Sequence, residues 1–212
     1  MTTKSWKTTI IWYRILSKEK KLQESQQKAP IHKIPKEPTF YYFAYGSCMC
    51  PVDLKRSLGE NVHPYVIGHG ILKEYRLRFY GYSHLRKCGV LDVVQDTASL
   101  VRGVLYELPW RFSENLDKRE GVCQEFYRRE MVNIQHEGEI YKNVRTYVVV
   151  NKLLEEIPPN DWYFNVVLRG AITCGLPEEY CWHLFDKMHG LQQKSHQTSN
   201  INKKNFKKPR NS

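Results

Sequence analysis

The chain has 212 residues, of which 41% are hydrophobic and 13% aromatic, enough to build the core of one ordinary domain plus tails. No stretch approaches the roughly 20 apolar residues that a membrane span requires. The first apolar run, Ile10 to Leu16, is short, is interrupted by Arg14 and lacks a small-residue cleavage site. We therefore expect no membrane span, no secretory signal and a cytoplasmic location.

The formal net charge of +11 comes from the two ends of the chain. Residues 1–38 carry a net charge of +6, residues 190–212 carry another +6, and residues 39–189 carry −1. Basic ends of this kind are typical of solvated, disordered tails, with loose binding to RNA or anionic lipid as the alternative interpretation. For the nearly neutral middle we expect no specific nucleic-acid partner.

The cysteine pattern favours free thiols over disulfides or a metal site. Without an export signal, six cysteines are expected to stay reduced. Cys48 and Cys50 are separated by one residue rather than the two to four of a zinc knuckle, and no second pair follows. We predict no metal ligands and no cofactor.

Composition divides the chain into three parts. Residues 1–38 form a basic extension that ends in a Lys-, Gln- and Pro-rich linker, which disfavours regular structure. Residues 39–189 form the predicted domain, and residues 190–212 a basic disordered tail. The sequence does not indicate an oligomeric state.

The domain opens with an aromatic strand over residues 40–45 that stops at Gly46-Ser47 and is followed by a helix over 51–58, with proline in its first turn. In such an arrangement of strand, turn and helix, the turn can offer backbone N–H groups and a hydroxyl to a bound ligand. Gly46 would let a ligand approach the backbone closely. This stretch is the predicted binding loop.

The rest of the domain alternates strands and short helices. No βαβ rhythm and no dinucleotide fingerprint is present, so we expect an α+β domain with a curled or closed, mainly antiparallel sheet. Ser113 is the predicted N-cap of a helix over 114–120, with Gly121 just beyond its end. The remaining predicted strands are the alternating latter half of residues 62–83 and segments 89–95, 101–108, 127–134 and 144–150. A turn is predicted at 96–99, and two helices within 158–189 are broken at 175–177.

Glu120 is the main acid/base candidate because it ends its helix, where unpaired carbonyl groups disfavour a carboxylate. The alternative is a surface glutamate paired with Lys118 or Arg119. Ser47 and Cys48 are weaker candidates as nucleophiles, because the surrounding residues lack both glycines of a hydrolase elbow. Tyr127 begins the next strand and either faces the same pocket or packs in the core.

Several of these segments together resemble the γ-glutamylcyclotransferase family, also called AIG2-like. The resemblance rests on YGS at residues 45–47, GVLDVVQ at 89–95 and RGVLYEL at 102–108. It continues with LDKREG at 116–121 and YRRE at 127–130, so it covers roughly residues 40–185 and leaves both basic ends unexplained.

The resemblance implies a small closed β-barrel with flanking helices and a pocket at the YGS loop. It also implies an enzyme of the acyltransferase or lyase type that releases 5-oxoproline from a small γ-glutamyl compound without a cofactor. Glu120 would be the catalytic acid/base. The implied substrate-binding residues are Tyr45, Gly46, Ser47, Cys48, Met49 and Tyr127.

One departure from the family pattern leaves the function open. Cys48 stands where asparagine usually follows YGS, and a thiol is a weaker hydrogen-bond donor than an amide. The alternative function is an inactive barrel that serves as a small-molecule binding or regulatory module. The leaving group also stays open among glutathione, γ-glutamyl amino acids, γ-glutamyl amines and biosynthetic intermediates.

Overall fold

The structure is a computed structural model that describes the backbone of residues 37–206 and the side chains of residues 37–195. Five strands close into a barrel in the order β1-β3-β2-β4-β5, which confirms the predicted closed, mostly antiparallel barrel with flanking helices. The strands are β1 (Thr39–Ala44), β2 (Val66–Ser83), β3 (Cys88–Pro109), β4 (Tyr127–His136) and β5 (Glu139–Val149).

The predicted break between strands 89–95 and 101–108 is wrong, because both segments belong to the single long strand β3. Residues 96–99 bulge out of the β2–β3 pairing opposite Glu74, which adopts a φ of 64°. The Asp96 carboxylate accepts hydrogen bonds from the Ala98 N–H (3.2 Å) and the Ser99 hydroxyl (2.8 Å). The turn-like composition therefore marks a bulge within a strand and not its end.

Four helices flank the barrel: α1 (Pro51–Leu58), α2 (Ser113–Glu120), α3 (Asp161–Thr173) and α4 (Glu178–Phe206). Ser113 is not the N-cap that the sequence predicts but the first residue of α2. Its hydroxyl instead accepts a hydrogen bond from the buried guanidinium of Arg145 at 2.8 Å. Gly121 ends α2 with a φ of 66°, in the left-handed region that favours glycine.

The end of the chain differs from the sequence prediction. A disordered tail is predicted from residue 190, whereas α4 continues to Phe206. The limits of the three predicted parts, 1–38, 39–189 and 190–212, stay predictions, and the first of these parts lies almost entirely outside the described residues. Within residues 37–206, none of the helices has the length and apolar character to cross a membrane.

Close backbone approach fixes the binding loop against the barrel and α3. Phe43 of β1 is fully buried, and a Cβ added to Gly103 would lie 2.3 Å from the Ala44 carbonyl oxygen. On α3, a Cβ added to Gly170 would lie 2.5 Å from the Cys50 nitrogen. Both glycines allow contacts that a side chain would prevent, so α3 packs directly on the loop that follows β1.

Candidate active site

A pocket opens where β1 ends. Residues from β1, the loop after it, β3, α2, β4, β5 and α3 surround it, so segments distant in sequence meet there. The lining residues are Tyr42, Tyr45, Gly46, Ser47, Cys48, Arg86, Val90, Leu91, Arg119, Glu120, Phe126, Tyr127, Thr146, Tyr147 and Tyr163.

The loop after β1 lines this pocket and carries unpaired backbone donors. Ser47–Met49 form one turn of 3-10 helix, in which the Met49 N–H donates to the Gly46 carbonyl at 3.0 Å. The N–H groups of Ser47 and Cys48 have no acceptor among the described residues, so they are available to a ligand. A Cβ on Gly46 would lie 3.0 Å from the Tyr163 hydroxyl, so glycine is the residue that fits.

Met49 is the one predicted binding residue that the structure does not bring to the pocket. Its side chain is fully buried and is absent from the pocket lining. Its carbonyl accepts hydrogen bonds from the Tyr106 hydroxyl (3.2 Å) and the Cys174 thiol (3.4 Å). Met49 therefore anchors the loop, and the side chains before it face the cavity.

Glu120 places its carboxylate in the pocket, at the last residue of α2. The Cys48 thiol donates a hydrogen bond to Glu120 Oε1, with 2.9 Å between the sulfur and the oxygen. Burial raises the pKa of Glu120 above its ordinary value, while the positive charge of Arg119 and the Cys48 hydrogen bond act in the opposite direction. The pocket position contradicts the interpretation of Glu120 as a surface glutamate.

Arg119 does not pair with Glu120 but turns toward α1. It forms an ion pair with Asp53, and the two side chains are only 8% and 4% exposed. Its Nε also donates to the Cys48 sulfur at 2.9 Å, and one Nη donates to the Ser47 hydroxyl at 3.3 Å. Arg119 thus stabilises the binding loop through its hydrogen bonds to Ser47 and Cys48. The sequence does not predict this role, because Arg119 lies in a highly charged segment at the end of a helix, where side chains are usually exposed to solvent.

Cys48 is a neutral thiol in this setting. Burial raises its pKa to about 12, despite the nearby charge of Arg119. A thiol with this pKa is a poor nucleophile at neutral pH, and the pocket lining contains no histidine that could deprotonate it. Its geometry instead makes it a hydrogen-bond donor that orients Glu120.

Three tyrosine hydroxyls enclose the pocket from other sides. Tyr127 donates to the Leu91 carbonyl at 2.6 Å, Tyr45 donates to the Tyr147 carbonyl, and Tyr163 accepts from the Leu91 N–H at 3.1 Å. Burial raises the pKa of all three phenols, so they stay protonated. Each oxygen keeps a lone pair that could accept a hydrogen bond from a ligand ammonium.

The arrangement combines a part-buried carboxylate, two free backbone donors and phenolic oxygens in one cavity. Such a set can accept a proton from an amine and stabilise an oxyanion. In the described part of the chain, His, Cys, Asp and Glu side chains form no cluster suited to a metal ion. Arg86, Arg119, Phe126 and Tyr163 are pocket residues that sequence reasoning did not select as site residues.

Comparison with known proteins gives consistent matches. Residues 100–184, which include Glu120 and Tyr127 but not the YGS loop, match the model of the AIG2-like family. The chain is 28% identical over 151 residues to mouse gamma-glutamylcyclotransferase, a match that covers 67% of this chain and 75% of the mouse protein. It is also similar to a solved gamma-glutamyl cyclotransferase structure, with a TM-score of 0.63 and 26% identity over 69% of this chain and 86% of that one.

YkqA of Bacillus subtilis is a third relative. It is 33% identical over 138 residues, which is 65% of this chain. The chain spans about half the length of YkqA, because the match covers 48% of that protein. The crystal structure of YkqA aligns with a TM-score of 0.66 and 29% identity, over 81% of this chain and 58% of that chain. By sequence match and by fold, the chain is similar to proteins of the γ-glutamylcyclotransferase and AIG2-like family.

Proposed function

We propose that the protein is an enzyme that converts a γ-glutamyl compound into 5-oxoproline and a free amine or amino acid, with Glu120 as the general acid/base. The observation that carries this proposal is the Glu120 carboxylate, which lies in the same pocket as the free N–H groups of Ser47 and Cys48. Relatives that carry the name gamma-glutamylcyclotransferase support it. We further propose that its substrate is a small molecule of the cytoplasm.

The first step is a proton transfer. The α-ammonium group of the substrate gives a proton to the ionised Glu120 carboxylate, which leaves the nitrogen lone pair free. The oxygens of Tyr45 and Tyr127 line the same pocket and would accept hydrogen bonds from the ammonium. A raised pKa makes Glu120 a stronger base than an ordinary glutamate, provided that it is ionised when the substrate binds.

The second step closes a five-membered ring. The α-nitrogen attacks the γ-carbonyl carbon of the same molecule, so the enzyme mainly has to hold the glutamyl chain in a folded shape. The oxyanion that develops would be stabilised by the N–H groups of Ser47 and Cys48. Glu120 then gives its proton to the leaving nitrogen, and the γ-carbonyl carbon–nitrogen bond breaks. The ring nitrogen, which still carries two hydrogens after the attack, loses one of them to the Glu120 carboxylate, and this proton is released with the amine as 5-oxoproline and the amine separate.

The test is 5-oxoproline formation by the purified protein from a panel of γ-glutamyl amino acids, γ-glutamyl amines and glutathione. Glu120→Gln keeps the size of the side chain and removes the base, so it should lower kcat by about 10²- to 10⁴-fold. The matched control is Glu114→Gln, since Glu114 is exposed on the same helix and lies outside the pocket lining. The control should keep the wild-type rate.

Two results would overturn the proposal. Wild-type turnover by Glu120→Gln would remove Glu120 from the chemistry. Thermal stabilisation of the wild-type protein by these compounds, with no 5-oxoproline from any of them, would indicate a binding module without catalysis.

A further inference from the structure

Arg86 is a second pocket cation, and the fold fixes it at the edge of the cavity. It lies in the turn between β2 and β3, where its N–H donates to the Ser83 hydroxyl at 3.2 Å. Its carbonyl accepts a hydrogen bond from the Asn160 side-chain amide at 2.8 Å. The guanidinium carbon lies 5.1 Å from the centre of the Trp162 ring, a cation–π contact. Both its backbone and its side chain are therefore held in place.

The guanidinium of Arg86 has no carboxylate partner among residues 37–195. Arg119, the other cation in the lining, is already paired with Asp53. The positive charge of Arg86 also affects Glu120. It acts to lower the pKa of that carboxyl, although burial has the larger effect and raises the pKa. The pocket thus presents one positioned positive charge without a described counter-ion.

The position of Arg86 separates it from the groups that would hold the glutamyl part of a substrate. Ser47 and Cys48 are buried beside Glu120, whereas Arg86 is half-buried, next to Trp162, which is 41% exposed. Leu85, the preceding residue, is 89% exposed, so the turn borders solvent. A substrate whose glutamyl group lies against the loop would extend its leaving group toward this edge.

We propose that Arg86 is a specificity-determining residue that binds the leaving-group carboxylate of a γ-glutamyl amino acid, a carboxylate that is one carbon away from the scissile nitrogen. A guanidinium can bind a carboxylate through two parallel hydrogen bonds, and stacking on Trp162 orients its plane. This inference rests on the proposed cyclotransferase function. It assigns the residue that recognises the leaving group.

The test compares two substrates that differ in one charge, γ-glutamyl-alanine and γ-glutamyl-alaninamide. Both carry the glutamyl α-carboxylate, and only the first carries a carboxylate on its leaving group. Arg86→Gln should lower kcat/KM for γ-glutamyl-alanine by about 10- to 100-fold, mainly through KM. For the amide the loss should be at most about threefold. Rates are compared at a pH where Glu120 is ionised in both proteins, because loss of the Arg86 charge raises the pKa of Glu120.

Lys87→Gln is the matched control, since it removes a positive charge from the neighbouring exposed residue, which does not line the pocket. It should leave both substrates unaffected. An equal loss on the two substrates with Arg86→Gln would assign Arg86 to the glutamyl α-carboxylate and overturn the proposal. No loss on either substrate would also overturn it.

Failure of the proposed function gives a different pattern. In that case the wild-type protein forms no 5-oxoproline from either compound, and binding is measured by calorimetry instead. Tighter wild-type binding of γ-glutamyl-alanine than of the amide, lost in Arg86→Gln, would support the carboxylate site without the reaction. Equal binding of the two compounds by the wild-type protein would contradict the site itself.

Discussion

At the scale of single residues, Glu120 combines the conditions that a general base needs. Burial makes its charged form less favourable, and the carbonyl end of α2 adds to this effect. The Cys48 thiol and the charges of Arg119 and Arg86 favour the charged form and limit the rise in pKa. The carboxylate is thus more basic than usual while the loop still supplies a donor that orients it.

This balance predicts the pH dependence of the reaction. Because the proposed base acts when ionised, kcat/KM should rise as the pH increases through the pKa of Glu120. Since that pKa is raised, the rise should occur at a higher pH than the value of about 4.3 of an ordinary glutamate. A pH–rate profile of the wild-type protein checks this. A midpoint at or below the ordinary value would contradict the description of the site.

At the scale of secondary-structure elements, the ion pair between Arg119 and Asp53 joins α2 to α1. Both side chains are almost completely buried, and Arg119 Nη1 also donates to the Ser57 hydroxyl on α1 at 2.5 Å. Removal of one charge from such a pair leaves the other buried without compensation. The position of the loop between β1 and α1 therefore depends on the position of α2.

Asp53→Asn should lower the free energy of unfolding by about 3 to 5 kcal/mol, because the Arg119 charge would stay buried without its partner. Denaturant unfolding monitored by fluorescence measures this loss. The control is Arg56→Gln, which removes a side chain that is 67% exposed and 3.8 Å from the same aspartate. The control should cost less than about 1 kcal/mol. A similar small cost for both variants would show that the buried pair does not hold the two helices together.

Gly170 controls how closely α3 packs on the binding loop. In Gly170→Ala the new Cβ would lie 2.5 Å from the Cys50 nitrogen and 2.6 Å from the Met49 carbonyl carbon, so the backbones have to separate. We expect a loss of about 1 to 3 kcal/mol in stability and, because the loop donors move, a fall in kcat of about 10- to 100-fold.

Gly190→Ala is the matched control for Gly170→Ala. Gly190 lies within α4, and a Cβ there would meet nothing within 4 Å. Alanine should therefore stabilise the helix by up to about 1 kcal/mol and leave kcat unchanged. Thermal unfolding and the 5-oxoproline assay measure both variants. Wild-type stability and activity in Gly170→Ala would show that the close packing of α3 has no effect on the site.

At the scale of the whole molecule, barrel closure places the parts of the site together. The end of β1, the end of α2, the start of β4 and residues of α3 meet at one cavity although they span positions 42 to 163 of the chain. The single parallel contact between Tyr42 of β1 and Arg145 of β5 closes the barrel. The site therefore depends on long-range strand pairing and not on any local motif alone.

This explains which parts of the site the sequence predicts. The sequence predicts the turn at Gly46-Ser47 and the helix end at Glu120, because glycine is typical of turns and of the position just after a helix. The ion pair of Arg119 with Asp53 and the position of Arg86 at the cavity depend on tertiary packing, so periodicity cannot reveal them. The same limit explains why residues 96–99 resemble a turn but form a bulge, since their pairing opposite Glu74 is a long-range contact.

The central claim is intramolecular cyclisation with Glu120 as the base, and product analysis in ¹⁸O-labelled water tests it most directly. With a γ-glutamyl substrate, the wild-type protein should release 5-oxoproline and the amine in equal amounts. The product should carry no ¹⁸O, because the attacking atom is the substrate's own nitrogen. Glu120→Gln should release neither product at a comparable rate. Formation of glutamate that carries ¹⁸O would show hydrolysis by water and contradict the account.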